Sequence, residues 1–125
     1  GFKLILLRKK RRMSVVHLSF EVFGKVQKVS FRAFTKRAAT ALDLTGWVKN
    51  TEAATVVGEA WGSQSNINSF KLWLRNEGSP KSVVKDVKWN ESCLNPGEVA
   101  PFQSFEIDKS YGHAPSVKVS KKKKV

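Results

Sequence analysis

A short loop that ends in an arginine is the part of this sequence best suited to bind an anion. Residues 24–32 read Gly-Lys-Val-Gln-Lys-Val-Ser-Phe-Arg, and Arg32 falls in the first turn of a predicted helix. Backbone N–H groups of such a loop can converge on an anion, the helix N-terminus adds partial positive charge, and a guanidinium can bind two phosphate oxygens. The pattern describes a phosphate-binding loop, although an arginine at a helix start is more often ordinary surface charge.

The sequence offers little support for acid–base or metal catalysis. His17 lies in a strand pattern and His113 near the C-terminus, so a packed or solvated side chain is the simpler interpretation of each. Cys93 is the only cysteine, and no other Cys or His stands near it at metal-ligand spacing. The acidic residues are scattered rather than paired. We therefore expect no metal and no cofactor.

Strand and helix patterns place the loop between two elements. Residues 15–23 are rich in β-branched and aromatic types and are bounded by Gly24, which predicts a central strand. A helix is predicted over residues 31–42, with Ser30 as its cap. Its apolar residues recur at helical spacing: Phe31, Phe34, Ala38 and Ala41 or Leu42.

The rest of the chain alternates strands with a second helix. Residues 44–49 and 55–61 predict a hairpin, a helix capped by Ser65 follows, and residues 82–89 and 102–107 predict two further strands. The order β-α-β-β-α-β with a late extra strand indicates the α+β class. We predict a ferredoxin-like split β-α-β sandwich, in which an antiparallel sheet of four to five strands carries two helices on one face.

The fourth predicted strand has an apolar face of its own. Alternation places three of its residues on one side of the sheet: Val83, Val87 and Trp89.

The net charge of +13 is concentrated at the two ends of the chain. Residues 1–12 hold six basic residues and residues 113–125 hold five, and neither segment contains an acid. The chain has 23 basic and 10 acidic residues in all, so twelve basic and ten acidic residues lie between the two ends, which gives that part a net charge of +2. We predict three parts: a basic extension over 1–12, a folded domain over 13–111 and a lysine-rich tail over 112–125. Weak binding to polyanions is then expected mainly through the two ends.

Cysteine content and hydropathy indicate where such a protein works. A single cysteine allows no intramolecular disulfide, which fits a reducing compartment and predicts a cytoplasmic protein. The apolar stretch over residues 2–7 is too short to span a membrane and precedes its basic cluster, so neither a membrane span nor a signal peptide is predicted. A monomer is the default expectation for a small domain without an obvious exposed apolar stripe.

Two motifs together resemble a known family. The loop over residues 24–32 and the segment Leu-Thr-Gly-Trp-Val-Lys-Asn over residues 44–50 are similar to the two motifs of acylphosphatases, in the same order and at the same separation. The resemblance covers roughly residues 15–111. It implies a hydrolase that splits small-molecule acyl phosphates into a carboxylate and phosphate, with phosphate or sulfate as competing anions.

The resemblance also implies which residues act. Arg32 matches the arginine that binds the phosphoryl group, and Asn50 matches the asparagine that holds the attacking water. The backbone cradle is then formed by Lys25, Val26, Gln27, Lys28, Val29, Ser30 and Phe31. Because a carboxylate leaves without being protonated, such an enzyme mainly positions its substrate and stabilises charge, which explains why no catalytic histidine or metal is needed.

Three residues depart from the family pattern, since Lys28, Asp43 and Ala54 each stand where the family has glycine. If the backbone keeps a positive φ there, each substitution costs on the order of 1 kcal/mol. Aspartate tolerates this conformation best. Lys28 either shifts the amides that receive phosphate or adds an attractive charge, and the sequence leaves both open.

Two alternative functions remain at this stage. One is a family member whose altered loop leaves a phosphate-binding protein with weakened catalysis. The other is a nucleic-acid or acidic-partner binder that acts through its basic ends. The second finds less support, because the aromatic residues occupy core-like positions and offer no evident stacking platform.

Overall fold

A computed structural model of the chain describes residues 14–110, so the predicted basic extension and lysine-rich tail lie outside the described residues. The described part forms five strands and two helices. In chain order these are β1 Val16–Lys25, α1 Phe31–Ala41, β2 Thr45–Asn50, β3 Val56–Gly62, α2 Gln64–Asn76, β4 Val83–Cys93 and β5 Phe105–Ile107.

The five strands form one sheet in the order β4-β1-β3-β2-β5. β1 pairs antiparallel with β3 and β4, and β2 pairs antiparallel with β3, which confirms the predicted split β-α-β arrangement. β5 differs from the prediction, because it pairs parallel with β2. The connection over residues 94–104 carries the chain to the end of the sheet where β2 begins, so β5 enters in the same direction as β2.

The core lies between the sheet and the helices. Alternate residues of β1 are at most 4% exposed, as period-2 packing on one face requires: Val16, Leu18, Phe20 and Val22. Both helices cover this face with residues spaced three or four apart, which are Phe31, Thr35 and Ala39 in α1 and Ile67, Phe70 and Leu74 in α2. The predicted α1 stripe is therefore rotated, since Thr35 and Ala39 are buried and Phe34 is only partly covered.

The caps of α2 explain its bounds. Ser63 precedes the helix in an extended conformation, and its hydroxyl accepts a hydrogen bond from the Asn66 amide at 3.2 Å. The predicted cap, Ser65, lies inside the first turn instead. The helix ends where Gly78 adopts φ +63° and its amide donates to the Trp73 carbonyl at 3.0 Å.

A β-bulge separates the two ends of the β1–β4 pair. The register passes from Phe23 opposite Asp86 to Gly24 opposite Val84, so one extra β4 residue is accommodated there. Val84 consequently packs against the core, whereas Val83 is 53% exposed. The prediction that Val83 shares a face with Val87 is therefore wrong, because the bulge reverses the alternation.

The opposite face of the sheet carries partly exposed side chains. His17 Nε2 donates a hydrogen bond to the Glu59 carboxylate at 3.1 Å, and the imidazole ring stacks on Trp61 with ring centroids 4.6 Å apart. Trp47 is only partly buried on this face, beside Glu59. Neither of the two described helices is long and apolar enough to cross a membrane.

Candidate active site

Three segments meet at one end of the sheet. β1 and β2 both run antiparallel to β3, so the end of β1, the start of α1 and the last residue of β2 lie at the same end. A cleft of about 580 Å³ opens there. Its lining comes from the loop, α1, β2 and the end of β5: Val26, Lys28, Ser30, Phe31, Arg32, Ala33, Asn50, Ile107 and Lys109.

The structure brings together the two side chains that the motifs predict to act, since Arg32 and Asn50 line the same cleft. The remaining predicted loop residues divide into two groups. Those that line the cleft are Val26, Lys28, Ser30 and Phe31. Those whose side chains do not line it are Lys25, which pairs with β4, Gln27, which binds the hairpin turn, and Val29, which packs against the core.

Gln27 braces the loop against the β2–β3 turn. Its amide nitrogen donates to the carbonyls of Thr51 and Thr55, each at 2.9 Å. Thr51 in turn accepts hydrogen bonds from the Ala53 and Thr55 amides, at 3.1 and 3.3 Å. Because Thr51 directly follows Asn50, this network ties the position of the loop to the position of Asn50.

The loop backbone is shaped as an anion-binding loop requires. Lys28 and Ser30 both adopt left-handed conformations, with φ of 64° and 59°. Left-handed residues in such loops turn successive N–H groups towards a common concavity. The backbone hydrogen bonds of the described loops include none donated by residues 26–31, and the first amides of a helix have no intrahelical acceptor. These donors are available to a ligand.

The start of α1 lacks the groups that usually stabilise a helix N-terminus. Ser30 occupies the cap position but its side chain makes no capping hydrogen bond, and the first turn contains no acid. The first turn instead contains Arg32, and a cation there is unfavourable by about 0.3–1 kcal/mol. Local costs of this kind are expected where a bound anion offsets them.

Thr35 has a positioning role that the sequence hardly revealed. Its side chain is fully buried, and its hydroxyl donates to the Phe31 carbonyl at 2.7 Å. Phe31 is itself buried at the junction of the loop and α1. Thr35 thus fixes the first turn of α1, which carries Arg32.

Asn50 lines the cleft, and one of its polar atoms is unsatisfied. Its Oδ1 is buried and has no hydrogen-bond partner among the described residues. Leaving a buried acceptor unpaired costs about 1–3 kcal/mol, so such atoms call for an explanation. An amide side chain that lines the cleft and has an unpaired oxygen is suited to hold a water molecule.

Lys109 is a charged cleft residue that the sequence did not reveal. Val48 pairs with Ile107 in the parallel β2–β5 ladder, and the Asp108 amide donates to the Val48 carbonyl at 2.9 Å. The chain therefore continues alongside the end of β2, and Lys109 joins Asn50 in the cleft. Only the β2–β5 pairing reveals this neighbour, and no local motif in the sequence predicts it.

Asp108 lies beside the cleft but does not line it. Burial raises the pKa of its carboxyl, whereas hydrogen bonds from the Ser110 amide and hydroxyl and the charge of Lys49 lower it. The lowering effects prevail, so the pKa lies below the ordinary value of 3.8. Within residues 14–110, no group of three or more His, Cys, Asp or Glu side chains is arranged to hold a metal ion.

Comparisons with known proteins show which family the chain resembles. The family model "Acylphosphatase" matches residues 18–107 of the chain. The chain is 39% identical to human acylphosphatase-2 over 90 residues, which are 71% of this chain and 91% of the human protein. It is 42% identical to acylphosphatase-1 of Xenopus laevis over 80 residues, covering 63% and 81% of the two chains. The structure of an acylphosphatase from Coxiella burnetii aligns with a TM-score of 0.67 and 34% identity, over 76% of this chain and 94% of the bacterial one.

Proposed function

The chain belongs to the acylphosphatase family and is an acylphosphatase, and on this premise we propose that Arg32 binds the phosphoryl group of the substrate while Asn50 holds the attacking water. The substrates are acyl phosphates, in which a carboxyl group and a phosphoryl group share an oxygen. The backbone amides of residues 25–31, with the N-terminus of α1, complete the phosphate site.

The proposed reaction is a single displacement at phosphorus. The oxygen of the water attacks, the bond from phosphorus to the acyl oxygen breaks, and the electron pair leaves with the carboxylate. The proton of the water passes to the phosphate or to solvent. Arg32 and the loop amides stabilise the charge on the transferring phosphoryl oxygens, and the Asn50 amide orients the water.

One observation supports these roles above all. Arg32 from α1 and Asn50 from β2 line one cleft, and the buried Oδ1 of Asn50 has no partner among the described residues. An arginine and an unpaired amide oxygen are the two kinds of group that a phosphoryl group and a water molecule require. Gln27 and Thr35 then serve as positioning residues, since they hold the loop and the first turn of α1.

The proposed role of Arg32 is tested by phosphate release from benzoyl phosphate. We expect Arg32→Ala to lower kcat/KM by about a thousand-fold or more, because it removes a charge that stabilises the transition state. Arg37→Ala is the matched control, since Arg37 is an exposed α1 residue whose guanidinium lies 4.7 Å from the Phe34 ring centroid. If Arg32→Ala hydrolyses benzoyl phosphate as fast as the parent, Arg32 is not the phosphate ligand.

The finer properties of the protein are part of the same proposal. We propose that inorganic phosphate and sulfate compete with substrate at the loop, and that the protein is a cytoplasmic monomer. We further propose a folded domain over residues 13–111 between two basic ends that bind polyanions weakly.

The two alternative functions are not favoured. The first alternative, a phosphate-binding protein with weakened catalysis, is less well supported than an active enzyme. Known acylphosphatases are about 40% identical to this chain over most of their own length. A nucleic-acid binder would use the basic ends rather than the domain, and such binding is compatible with acylphosphatase activity in the same chain.

A further inference from the structure

The active-site cleft carries more positive charge than a phosphoryl group requires. Three cationic side chains line it, Lys28, Arg32 and Lys109, and none of its lining residues is acidic. A phosphoryl group carries at most about two negative charges at neutral pH. Since the loop amides and the N-terminus of α1 add further positive potential, at least one cation has no counterpart on the phosphoryl group.

Among the described residues, no acidic side chain forms an ion pair with these cations. Two ion pairs are found within residues 14–110, and neither contains a lining residue of the cleft. The acid nearest to Lys109 in sequence is Asp108, which accepts hydrogen bonds from Ser110 and interacts with the charge of Lys49. Successive residues of extended chain point to opposite sides. Ile107 and Lys109 accordingly line the cleft, and Asp108 does not.

The cleft also has room for more than phosphate. Its volume of about 580 Å³ lies within the range of about 300–1,000 Å³ that is typical of sites for organic ligands. Apolar side chains supply part of the lining: Val26, Phe31, Ala33 and Ile107. Arg32 and Lys28 stand in the segment that binds the phosphoryl group, whereas Lys109 lies two residues after the end of β5, in a different segment of the chain.

We propose that Lys109 is a specificity-determining residue that binds a carboxylate on the acyl part of the substrate. The enzyme then prefers acyl phosphates of dicarboxylic acids, in which a hydrocarbon unit separates the reacting anhydride from a free carboxylate. A single ammonium group matches a single carboxylate, and Ile107 beside it contacts the hydrocarbon. This inference rests on the proposed function, because it assumes that the phosphoryl group occupies the loop.

The test compares two substrates of nearly equal shape. These are 4-carboxybenzoyl phosphate, which carries the additional charge, and 4-carbamoylbenzoyl phosphate, which is its neutral isostere. The ratio of their kcat/KM values cancels most differences in enzyme concentration and folding. It is measured with the full-length protein at low ionic strength, with benzoyl phosphate as the reference substrate.

We expect the parent protein to favour the charged substrate by about fivefold, since an exposed ion pair contributes up to about 1 kcal/mol. Lys109→Gln should bring the ratio close to one, mainly through KM, and Lys109→Arg should largely restore it. Lys88→Gln is the matched control, because Lys88 is an exposed β4 residue that does not line the cleft. It should keep the ratio of the parent.

The outcomes separate this inference from the function on which it rests. A ratio near one in a parent protein that hydrolyses benzoyl phosphate overturns the role of Lys109 and leaves the proposed function intact. An unchanged ratio in Lys109→Gln does the same. Absence of turnover on all three substrates overturns both. Should Lys109→Gln fail to fold, the salt dependence of the parent decides, because a charge preference must decline as salt is added.

Discussion

Within residues 14–110, four residues other than glycine hold left-handed backbone conformations, and all four lie in loops or turns. Lys28 and Ser30 shape the phosphate loop, Asp43 follows the end of α1, and Ala54 lies in the β2–β3 turn, with φ values between 59° and 67°. The three family glycines that the sequence replaces are thus at positions where the backbone does require positive φ. Lys28, Asp43 and Ala54 hold this conformation at a local energetic cost.

We predict that Lys28→Gly stabilises the protein by about 1 kcal/mol, because glycine adopts φ 64° without steric cost. Lys28→Gln is the matched control, since it removes the same charge and keeps the strained conformation. Urea unfolding of the two variants measures the difference. Equal stability of the Gly and Gln variants would show that the loop stores no strain at this position.

Substitution of Asn50 should affect the rate of the reaction much more than the binding of anions. We predict that Asn50→Ala lowers kcat on benzoyl phosphate by roughly a hundred-fold and weakens inhibition by phosphate much less, because the water is needed only for the reaction. Its stability should not fall, since the buried Oδ1 makes no hydrogen bond that the substitution could remove and its removal relieves the cost of an unpaired acceptor.

Asn90→Ala is the control for the preceding variant, because Asn90 is an exposed β4 residue outside the cleft. Steady-state kinetics with phosphate as inhibitor provide both readouts. A loss of phosphate affinity in Asn50→Ala as large as that in Arg32→Ala would contradict the assignment of Asn50 to the water.

The sequence predicted the parts of the site that lie in contiguous motifs. Arg32 and Asn50 were proposed because each ends a recognisable segment, and both line one cleft. Gln27 could be interpreted as a brace or as a ligand, and only its two hydrogen bonds to the hairpin turn decide. Lys109 was missed because its proximity to Asn50 depends on pairing between strands distant in sequence.

At the scale of elements, the N-terminus of α1 has uncompensated positive charge, which favours binding of an anion. Its N-terminus has no side-chain cap and no acid, and Arg32 adds a cation to the positive end of the helix. A bound anion would supply the negative charge and the hydrogen-bond acceptors that the helix N-terminus lacks. The folded state should therefore be sensitive to the anions in its buffer.

We predict that phosphate and sulfate raise the Tm of the protein, whereas chloride at matched ionic strength does not. At an anion concentration of about a hundred times Kd, binding to the folded state alone adds about 2.7 kcal/mol to the free energy of unfolding. Thermal unfolding followed by circular dichroism measures the shift. Arg32→Ala should reduce it strongly, and an undiminished shift in that variant would place the anion elsewhere.

Element positions were predictable to within one or two residues where periodicity and breakers agree. β2 and β3 begin and end one residue later than predicted, and α1 is one residue shorter. β4 extends to Cys93, beyond the predicted end at residue 89, because its polar last residues pair with β1 at the edge of the sheet. The bulge opposite Gly24 and the parallel direction of β5 arise from tertiary pairing, which local patterns do not encode.

At the scale of the whole molecule, most of the net positive charge lies at the two ends of the chain, whereas the cleft lies between them. The first 12 and last 13 residues carry eleven of the 23 basic residues, and the net charge between them is +2. Polyanion affinity scales with the number of phosphates that a protein neutralises. The ends and the domain should consequently be separable in experiments.

We predict that removal of residues 1–12 and 113–125 leaves turnover of benzoyl phosphate unchanged and removes most salt-sensitive binding to RNA or heparin. Turnover should persist because every lining residue of the cleft lies between the two ends. Binding measured by fluorescence anisotropy across a salt series provides the second readout. Strong RNA binding by the trimmed protein would instead implicate the surface of the domain.

Because β5 has only three residues, we expect the enzyme's selectivity between acyl groups to depend on temperature. Phe105 anchors this strand at its beginning, where it is 1% exposed and packs edge-on against Phe70 at 6.1 Å. Its other end, towards Lys109, is held to β2 by the hydrogen bond from the Asp108 amide to the Val48 carbonyl. Fraying of a short edge strand costs less free energy than global unfolding. Warming should therefore make the enzyme less discriminating between acyl groups well before it stops hydrolysing them.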